Sequence, residues 1–177
     1  ELVSLAGRLN NADLISFDLE TTSVTPLEAD IVGMSFSVKT NEGYYIPVEY
    51  PEKDTNPGLS LDMVLKELKP IFDNNCNCFC GQNIKYDALV LSRYDIHLSN
   101  MAFDTMVAEY LLHPEKNSYK LDYLSLDYLN YKMVPIEDLI GSGLHQKTMA
   151  EVPLEDISYY AVEDADVAYQ LSAILKE

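Results

Sequence analysis

The sequence contains few cysteines and no long apolar run. Its three cysteines, Cys76, Cys78 and Cys80, are an odd number within one short segment, which excludes a disulfide framework. No histidine lies near them to complete a zinc site, so we expect reduced thiols in a cytoplasmic protein. The apolar runs are far shorter than the ~20 residues of a membrane span, and we therefore expect no membrane association.

Positive charge and glycine are also scarce. There are 12 Lys and Arg residues against 29 Asp and Glu, a net charge of −17, and the cations are scattered singly. Proteins that bind nucleic acid usually carry a basic stripe, so composition alone favours a small-molecule enzyme or an acidic interaction domain. None of the seven glycines forms a glycine-rich phosphate loop after a strand, which disfavours a nucleotide-binding domain.

The length of 177 residues predicts one domain, and 47% hydrophobic residues are sufficient for a core. Apolar runs and turn residues predict strands at 14–20, 31–39, 44–48 and 76–80. The 3/4 spacing of apolar residues predicts helices at 61–72, 84–94, 105–112, 121–129 and 154–175. Asp104 is expected to cap the third helix, and 51–58 to form a polar loop. This order of elements indicates an α/β fold with helices packed on a sheet.

Two acidic residues share one face of the first predicted strand. Asp18 and Glu20 are two positions apart, so both side chains leave the strand on the same side. Two like charges placed side by side raise each other's pKa unless a positive group lies between them. For this pair taken alone, a solvated sheet face is the alternative to a functional site.

Two further carboxylates interrupt the apolar stripes of predicted helices. Asp164 lies within the stripe of the final helix, three residues after Ala161, where an unpaired carboxylate would be strongly destabilising. Asp87 has the same kind of position in the helix at 84–94. Tyr160 lies one turn before Asp164, so the two side chains share a face. The acids that fall off the final stripe are interpreted as surface charge: Asp156, Glu163 and Asp166.

The four inward carboxylates, Asp18, Glu20, Asp87 and Asp164, come from three elements without a comparable set of inward cations. Oxygen ligands without cysteine or histidine select hard divalent cations, Mg²⁺ or Mn²⁺. Four carboxylates can hold two such ions about 4 Å apart, the arrangement that supports attack on a phosphodiester bond. The sequence therefore predicts a two-metal site.

Three segments of the chain resemble the motifs of one family. They are Phe17-Asp-Leu-Glu-Thr, Gly81-Gln-Asn-Ile-Lys-Tyr-Asp87 and Tyr160-Ala-Val-Glu-Asp164. In this order and spacing they are similar to the 3′–5′ exonuclease (proofreading) domain of bacterial DNA polymerase I, in the Tyr-containing subtype of the DEDD exonuclease superfamily. The resemblance implies one exonuclease domain over residues 1–177 and a ribonuclease H-like fold, with a mixed central sheet flanked by helices. Because the chain begins with Glu1 rather than methionine, we expect a fragment of a larger polymerase.

By this resemblance, the acids and one tyrosine form the catalytic centre. Asp18, Glu20 and Asp164 are implied to bind the first ion with the attacking water. Asp18 would bridge to a second ion, which Asp87 would hold largely through water, and Tyr160 would orient the nucleophile. The implied reaction removes nucleoside 5′-monophosphates from DNA 3′ ends, with two divalent metal ions, Mg²⁺ or Mn²⁺, as cofactors.

The resemblance also implies the contacts with substrate and with other domains. The implied substrate-binding residues are Thr21, Val24, Gln82, Asn83, Lys85 and Tyr86. Val24 would act as an apolar wedge between bases, with core packing as its alternative, and a solvated charge is the alternative for Lys85. The implied partners are a single-stranded or frayed DNA 3′ end and the polymerase domain of the parent chain, which would carry the basic duplex-binding surface. We expect a monomer.

Two other functions are compatible with the same residues. An RNA 3′ exonuclease of the ribonuclease D type shares the Tyr-containing motif, although the segment 81–87 favours the polymerase family. A catalytically idle domain that only positions a polymerase is the other alternative, and the intact set of acids argues against it.

Overall fold

The computed structural model describes residues 1–49, 58–143 and 146–176. Its sheet consists of β1 (Ile15–Thr21), β2 (Ile31–Lys39), β3 (Glu42–Pro47), β4 (Phe79–Gly81) and β5 (Met101–Asp104). The order across the sheet is β3-β2-β1-β4-β5. β2 pairs antiparallel with both β1 and β3, whereas β4 pairs parallel with both β1 and β5. The sheet is therefore mixed, with β1 at its centre.

Helices flank this sheet. The α-helices are α1 (Leu2–Asn10), α2 (Leu61–Phe72), α3 (Lys85–Ser92), α4 (Thr105–Leu112), α5 (Leu121–Leu124), α6 (Ile136–Ile140) and α7 (Leu154–Ile174). A turn of π-helix, Ser125–Leu129, follows α5, and a 3₁₀ turn, Met149–Glu151, precedes α7. In the described part of the chain, no helix combines the length and apolar character that crossing a membrane requires.

The main core lies on one face of the sheet. Phe17 from β1 stacks on Phe36 from β2, with ring centroids 5.2 Å apart, and packs against Phe72 from α2 at 4.9 Å. Phe72 also contacts Phe79 of β4 at 5.6 Å. Apolar residues of α1, α2 and α3 bury these rings in one cluster. The large apolar area that the rings bury holds β1 firmly in the centre of the sheet.

The other face of the sheet carries small and acidic side chains, and α7 packs across it. In the antiparallel register, Asp18 stands opposite Ser35 and Glu20 stands opposite Gly33. The buried alanines of α7 recur at 3/4 spacing: Ala161, Ala165 and Ala168. Because both surfaces have small side chains here, α7 can approach closely the strand that carries the two acids.

The structure adds two α-helices and one strand to those predicted from the sequence, α1, α6 and β5. α1 buries only three residues, Leu5, Ala6 and Leu9. β5 is a four-residue edge strand whose first two residues are exposed. The apolar residues Leu2, Leu5, Ala6 and Leu9 do have helical spacing, so periodicity could have indicated α1, whereas α6 and β5 are too short to show a period.

Two predicted elements differ in extent. The strand predicted at 76–80 begins only at Phe79, since the residues before it form a turn. The helix predicted at 121–129 becomes π-helical from Ser125. The loop predicted at 51–58 lies outside the described residues except for its last position. The other predicted strands and helices are confirmed, with ends that agree within two residues.

Gly81, at the end of β4, packs against the backbone of β1. A Cβ atom at this position would lie 2.7 Å from the carbonyl oxygen of Phe17, which is fixed in the sheet. We expect Gly81→Ala to lower the free energy of unfolding by about 1–3 kcal/mol, the usual range for overpacking a tight core. Urea denaturation followed by circular dichroism would measure the change.

Gly7→Ala is the matched control for this substitution. No heavy atom lies within 4 Å of the Cβ position of Gly7, on the exposed side of α1. Alanine is favoured over glycine inside a helix by roughly 0.5–1 kcal/mol, so this variant should be slightly more stable than the wild type. A Gly81→Ala protein as stable as the wild type would contradict the close contact between β4 and β1.

Candidate active site

Three carboxylates meet between the sheet and α7. Asp18 and Glu20 come from β1, and Asp164 comes from the α7 face that packs on it. Each offers a ligand oxygen, and these three oxygens lie within 4.8 Å of one another. The strand period places the first two side chains on the same face, and the helix places the third among buried alanines.

The three carboxylates repel one another in a partly dehydrated space. Burial raises the pKa of Asp18 from 3.8 to about 7. Burial raises the pKa of Glu20 well above its ordinary value, and the charges of Asp18, Asp164 and Asp87 add to the effect. The pKa of Asp164 is also raised well above its ordinary value, first by burial and then by the charge of Asp18. Among the ion pairs of the described residues, none joins these carboxylates to a lysine or arginine.

The donor set fits a hard divalent cation. Glu20 is only 5% exposed, and none of the described residues forms a hydrogen bond with its buried Oε1. A buried carboxylate oxygen left in this way is costly unless a cation or a donor reaches it. Oxygen-only ligands at these separations match the requirements of ions such as Mg²⁺ or Mn²⁺. The residues that can hold the ion directly are therefore Asp18, Glu20 and Asp164.

Asp87 lies next to this group but does not join it within the same distance. It is buried on α3, and its Oδ1 accepts a hydrogen bond from the Leu19 N–H at 3.1 Å. Leu19 pairs with Met34 of β2 on one side, but on the other side β4 pairs with β1 only as far as Ser16, so the Asp87 carboxylate is the acceptor there. Burial and the Asp18 charge raise the pKa of Asp87, which places its carboxyl group in the same electrostatic environment.

Tyr160 lies on α7 one turn before Asp164, and its hydroxyl is within hydrogen-bonding reach of the Asp164 carboxylate. Burial raises the pKa of Tyr160, and the charges of Asp164, Glu20 and Asp18 raise it further. The phenol therefore stays protonated at neutral pH. It can donate a hydrogen bond in this site but cannot act as a general base.

The four acids and Tyr160 open into a cleft of about 740 Å³. Of the residues predicted to contact substrate, the ones that line this cleft are Thr21, Val24, Gln82, Asn83 and Tyr86. Lys85 does not line it; its ammonium group points to Asp104 at 3.7 Å and bonds to the Asn83 side chain. The cleft is lined further by loop residues on both sides, including Lys120 and Lys147.

The predicted substrate residues differ in how free their side chains are. Val24 is 94% exposed at the cleft, so core packing is wrong for this residue. The Gln82 amide donates to the Tyr119 carbonyl at 2.7 Å and accepts from Thr105 at 2.5 Å, so both ends are already engaged. Val24 is therefore much better placed than Gln82 to meet an incoming molecule.

Asp104 is confirmed as a helix cap. Its Oδ1 accepts hydrogen bonds from the N–H groups of Met106 at 3.0 Å and Val107 at 3.2 Å, at the start of α4. The same oxygen accepts from the Asn83 N–H at 3.1 Å. Asn83 has a φ of 58°, in the left-handed region. The cap thus also fixes the sharp turn between β4 and α3, beside the cleft.

The interpretation of Glu163 as surface charge is wrong. Its side chain is buried, accepting a hydrogen bond from the Tyr131 hydroxyl at 2.7 Å and one from the Val134 N–H at 2.8 Å. The segment around Tyr131 and Val134 covers this side of α7. Glu163 thereby holds a segment whose residues Met133 and Val134 line the cleft.

Two lysines of the cleft wall carried no sequence signal. Lys120 belongs to the scattered cations of the sequence, and Lys147 lies in the irregular stretch before α7. Up to the start of the next element, the residues around each of these lysines lack the spacing of apolar residues that is typical of a helix or strand. No sequence pattern therefore predicts where these two side chains point. The structure brings both to the cleft that contains the carboxylates.

The chain shares its fold with solved structures. It superimposes on the POL domain of Pol1 from M. smegmatis, solved in complex with DNA primer-template and dNTP, with a TM-score of 0.73 and 15% identity, over 99% of this chain and 26% of that one. It superimposes on Escherichia coli RNase D, an exoribonuclease, with a TM-score of 0.72 and 16% identity, over 99% of this chain and 42% of that one. The predicted ribonuclease H-like α/β fold is confirmed.

The family follows from the sequence match. A family model described as 3′–5′ exonuclease matches residues 1–177, and the chain belongs to this family. DNA polymerase I of Pseudomonas aeruginosa is 37% identical over 170 residues, which cover 95% of this chain and 19% of the polymerase. The chain spans about a fifth of the length of the curated relatives it matches. The resemblance inferred from the three sequence motifs is confirmed.

The raised pKa values predict how pH acts on the metal-free protein. The Asp18 carboxyl has its ordinary pKa of 3.8 in the unfolded chain and about 7 in the folded one. Its contribution to stability is therefore fully present below pH 3.8 and is lost as the pH rises through 7. We expect the melting temperature in EDTA to fall over this interval, as measured by differential scanning calorimetry.

Asp164→Asn should reduce this pH dependence and raise the melting temperature of the metal-free protein at pH 7, because it removes one of the repelling charges. Asp156→Asn is the control, since Asp156 is an exposed acid in the first turn of the same helix. An Asp164→Asn protein whose melting temperature in EDTA at pH 7 is no higher than that of the wild type would contradict repulsion among these carboxylates.

Proposed function

We propose that residues 1–177 form one 3′–5′ exonuclease domain, part of a larger DNA polymerase, that removes nucleoside 5′-monophosphates from DNA 3′ ends. The observation that carries the proposal is the convergence of Asp18, Glu20 and Asp164 within 4.8 Å in a chain whose whole length matches the exonuclease family. The relatives with substantial sequence identity are named DNA polymerase I, which favours DNA over RNA as the substrate.

In this proposal, two divalent ions, Mg²⁺ or Mn²⁺, bind in the cleft. Asp18, Glu20 and Asp164 would hold one ion, and Asp87 together with Asp18 would hold the second. Such ions lower the pKa of a bound water and neutralise charge that develops on the phosphate. Burial and like charge raise the pKa values of Glu20 and Asp164, and no lysine or arginine of the described residues pairs with them. A bound cation would offset both unfavourable effects.

The protein's own groups position the reactants. The protonated Tyr160 hydroxyl, beside Asp164, donates a hydrogen bond that orients the attacking water. Val24, almost fully exposed at the cleft, packs against a base of the terminal nucleotides. Thr21 and Tyr86, whose hydroxyls are 2.7 Å apart, form the neighbouring wall, which Gln82 and Asn83 extend. Lys85 contacts the strand outside the cleft.

The substrate of this site is a single-stranded or frayed 3′ end. The cleft accommodates a few nucleotides, and the chain has too few clustered cations to hold a long duplex. We infer that the polymerase domain of the parent chain supplies the basic duplex-binding surface. The domain acts as a monomer in the cytoplasm, where its cysteines stay reduced.

A degradation assay tests this function. A 5′-labelled single-stranded DNA is incubated with the protein and Mg²⁺ or Mn²⁺, with EDTA as the control and a blunt duplex and an RNA of the same sequence alongside. We expect progressive shortening from the 3′ end of the single strand, and slower shortening of the duplex, because its end must first fray at a cost of about a few kcal/mol.

The other outcomes separate the alternatives. Equal rates on single strand and blunt duplex would contradict proofreading specificity. Faster degradation of RNA than of DNA would favour a ribonuclease D-type activity, whose fold this chain shares. Metal binding without degradation of any of these substrates would indicate an idle domain.

Tyr160→Phe tests the role of the hydroxyl. We expect single-turnover hydrolysis to slow by roughly ten- to a thousandfold, in the range of a lost transition-state hydrogen bond, while metal affinity and melting temperature stay nearly constant. Tyr159→Phe is the control, because Tyr159 is the adjacent residue on α7 and is 60% exposed. An unchanged single-turnover rate for Tyr160→Phe would remove Tyr160 from the mechanism.

A further inference from the structure

Within the described part of the chain, Glu20 Oε1 and the Tyr45 hydroxyl oxygen are both buried without a hydrogen-bond partner. A buried polar atom without a partner costs about 1–3 kcal/mol. A metal ion bound by the carboxylates would explain the free Glu20 oxygen, but it gives no role to the Tyr45 hydroxyl. Tyr45 lies outside the three sequence motifs, on β3, two strands away from the two acids of β1.

The sheet register brings Tyr45 to Glu20. Glu20 on β1 stands opposite Gly33 on β2. Tyr45 on β3 stands opposite Ser35, and its ring extends over Gly33. A Cβ atom on Gly33 would lie 2.1 Å from the Tyr45 hydroxyl oxygen. The hydroxyl therefore occupies the space left by the missing side chain of the residue paired with Glu20.

The surroundings of Tyr45 hold its hydroxyl in this place. The ring packs against the apolar cluster formed by residues before and at the start of α7, including Met149, Val152 and Ile157, beside Tyr160. Burial raises the pKa of Tyr45, and the nearby Glu20 charge raises it further, so the hydroxyl keeps its proton. Among the described residues, this hydroxyl has no acceptor and Glu20 Oε1 has no donor, and the two groups lie close enough for the Glu20 charge to raise the pKa of Tyr45.

We propose that Tyr45 is a positioning residue for the metal site: its hydroxyl donates a hydrogen bond to the Glu20 carboxylate when Glu20 binds a divalent ion. This inference rests on the metal site of the proposed function. A carboxylate that binds a metal through one oxygen presents its other lone pairs to outer partners, which fix its orientation. Loss of such a partner typically lowers metal affinity by about 10–100-fold.

Tyr45→Phe removes only the hydroxyl and is the test. The readout is Mn²⁺ affinity, measured by titration of the metal-free protein with free Mn²⁺ followed by electron paramagnetic resonance. We expect the dissociation constant to rise by about 10–100-fold. The melting temperature of the metal-free protein should stay the same or rise, because a buried hydroxyl without a partner is lost.

Tyr44→Phe is the matched control. Tyr44 is the next residue on β3, points to the opposite face of the sheet, and bonds through its hydroxyl to Arg8 and Glu42. The Mn²⁺ affinity of Tyr44→Phe should equal that of the wild type. If Tyr45→Phe also binds Mn²⁺ as tightly as the wild type, Tyr45 only fills space and the proposal is wrong.

A second variant approaches the same contact from β2. Gly33→Ala places a methyl group where the Tyr45 hydroxyl lies, so it must displace the hydroxyl from Glu20. We expect a loss of Mn²⁺ affinity similar to that of Tyr45→Phe. Wild-type Mn²⁺ affinity in folded Gly33→Ala protein would overturn the proposal. If Gly33→Ala does not fold, the result for Tyr45→Phe decides the proposal by itself.

The outcomes for Tyr45 and for the proposed function are distinguishable. A wild-type protein that does not bind Mn²⁺ would overturn both. A wild type that binds Mn²⁺ and degrades DNA, together with unchanged affinity in Tyr45→Phe, would overturn only the role of Tyr45. Excess Mn²⁺ should restore the hydrolysis rate of Tyr45→Phe, whereas it should not restore that of Tyr160→Phe, whose hydroxyl acts on the water.

Discussion

Mutual repulsion among buried carboxylates is the constraint on which the rest of this structure depends. Asp18, Glu20 and Asp164 offer oxygens within 4.8 Å of one another, and no ion pair of the described residues neutralises them. In the absence of metal, this arrangement opposes folding, and the aromatic core on the opposite face of the sheet must offset it. The largest apolar cluster therefore lies on one face, whereas the other face combines smaller apolar clusters with the carboxylates that can bind cations.

Small residues make the convergence possible. The sheet presents Ser35 and Gly33 beside the two acids of β1, and α7 presents alanines around Asp164. A large side chain in either surface would move α7 away from the sheet, and the third carboxylate would no longer reach the other two. Gly33 has a second effect, because its missing side chain leaves the space that the Tyr45 hydroxyl occupies. Beside the acids, packing on this face thus positions oxygen atoms, whereas other parts of α7 bury apolar clusters.

The sequence predicted those parts of the site that lie within regular elements. Asp18 and Glu20 share one face of a strand, and Asp164 interrupts the apolar stripe of a long helix. The strand, the helix and the inward direction of these side chains could therefore be inferred from the same pattern. Glu163 could not be read correctly, because the groups that bury it come from the irregular segment at 131–134. Tyr45 looked like an ordinary strand residue, since its relation to Glu20 depends on the pairing of three strands and not on local sequence.

The negative charge of the chain affects how the site can bind DNA. A net charge of −17 disfavours binding of a polyanion, and the cleft lysines, Lys120 and Lys147, offset only a small part of it. Under the proposed function, bound divalent ions reverse the local sign where the reacting phosphate must lie, so that a site which repels DNA without metal attracts it with metal. Binding of metal and of the DNA end is then coupled, because each lowers the electrostatic cost of the other. A strongly basic cleft would weaken the coupling between metal binding and DNA binding, because it would bind DNA whether or not the ions were present.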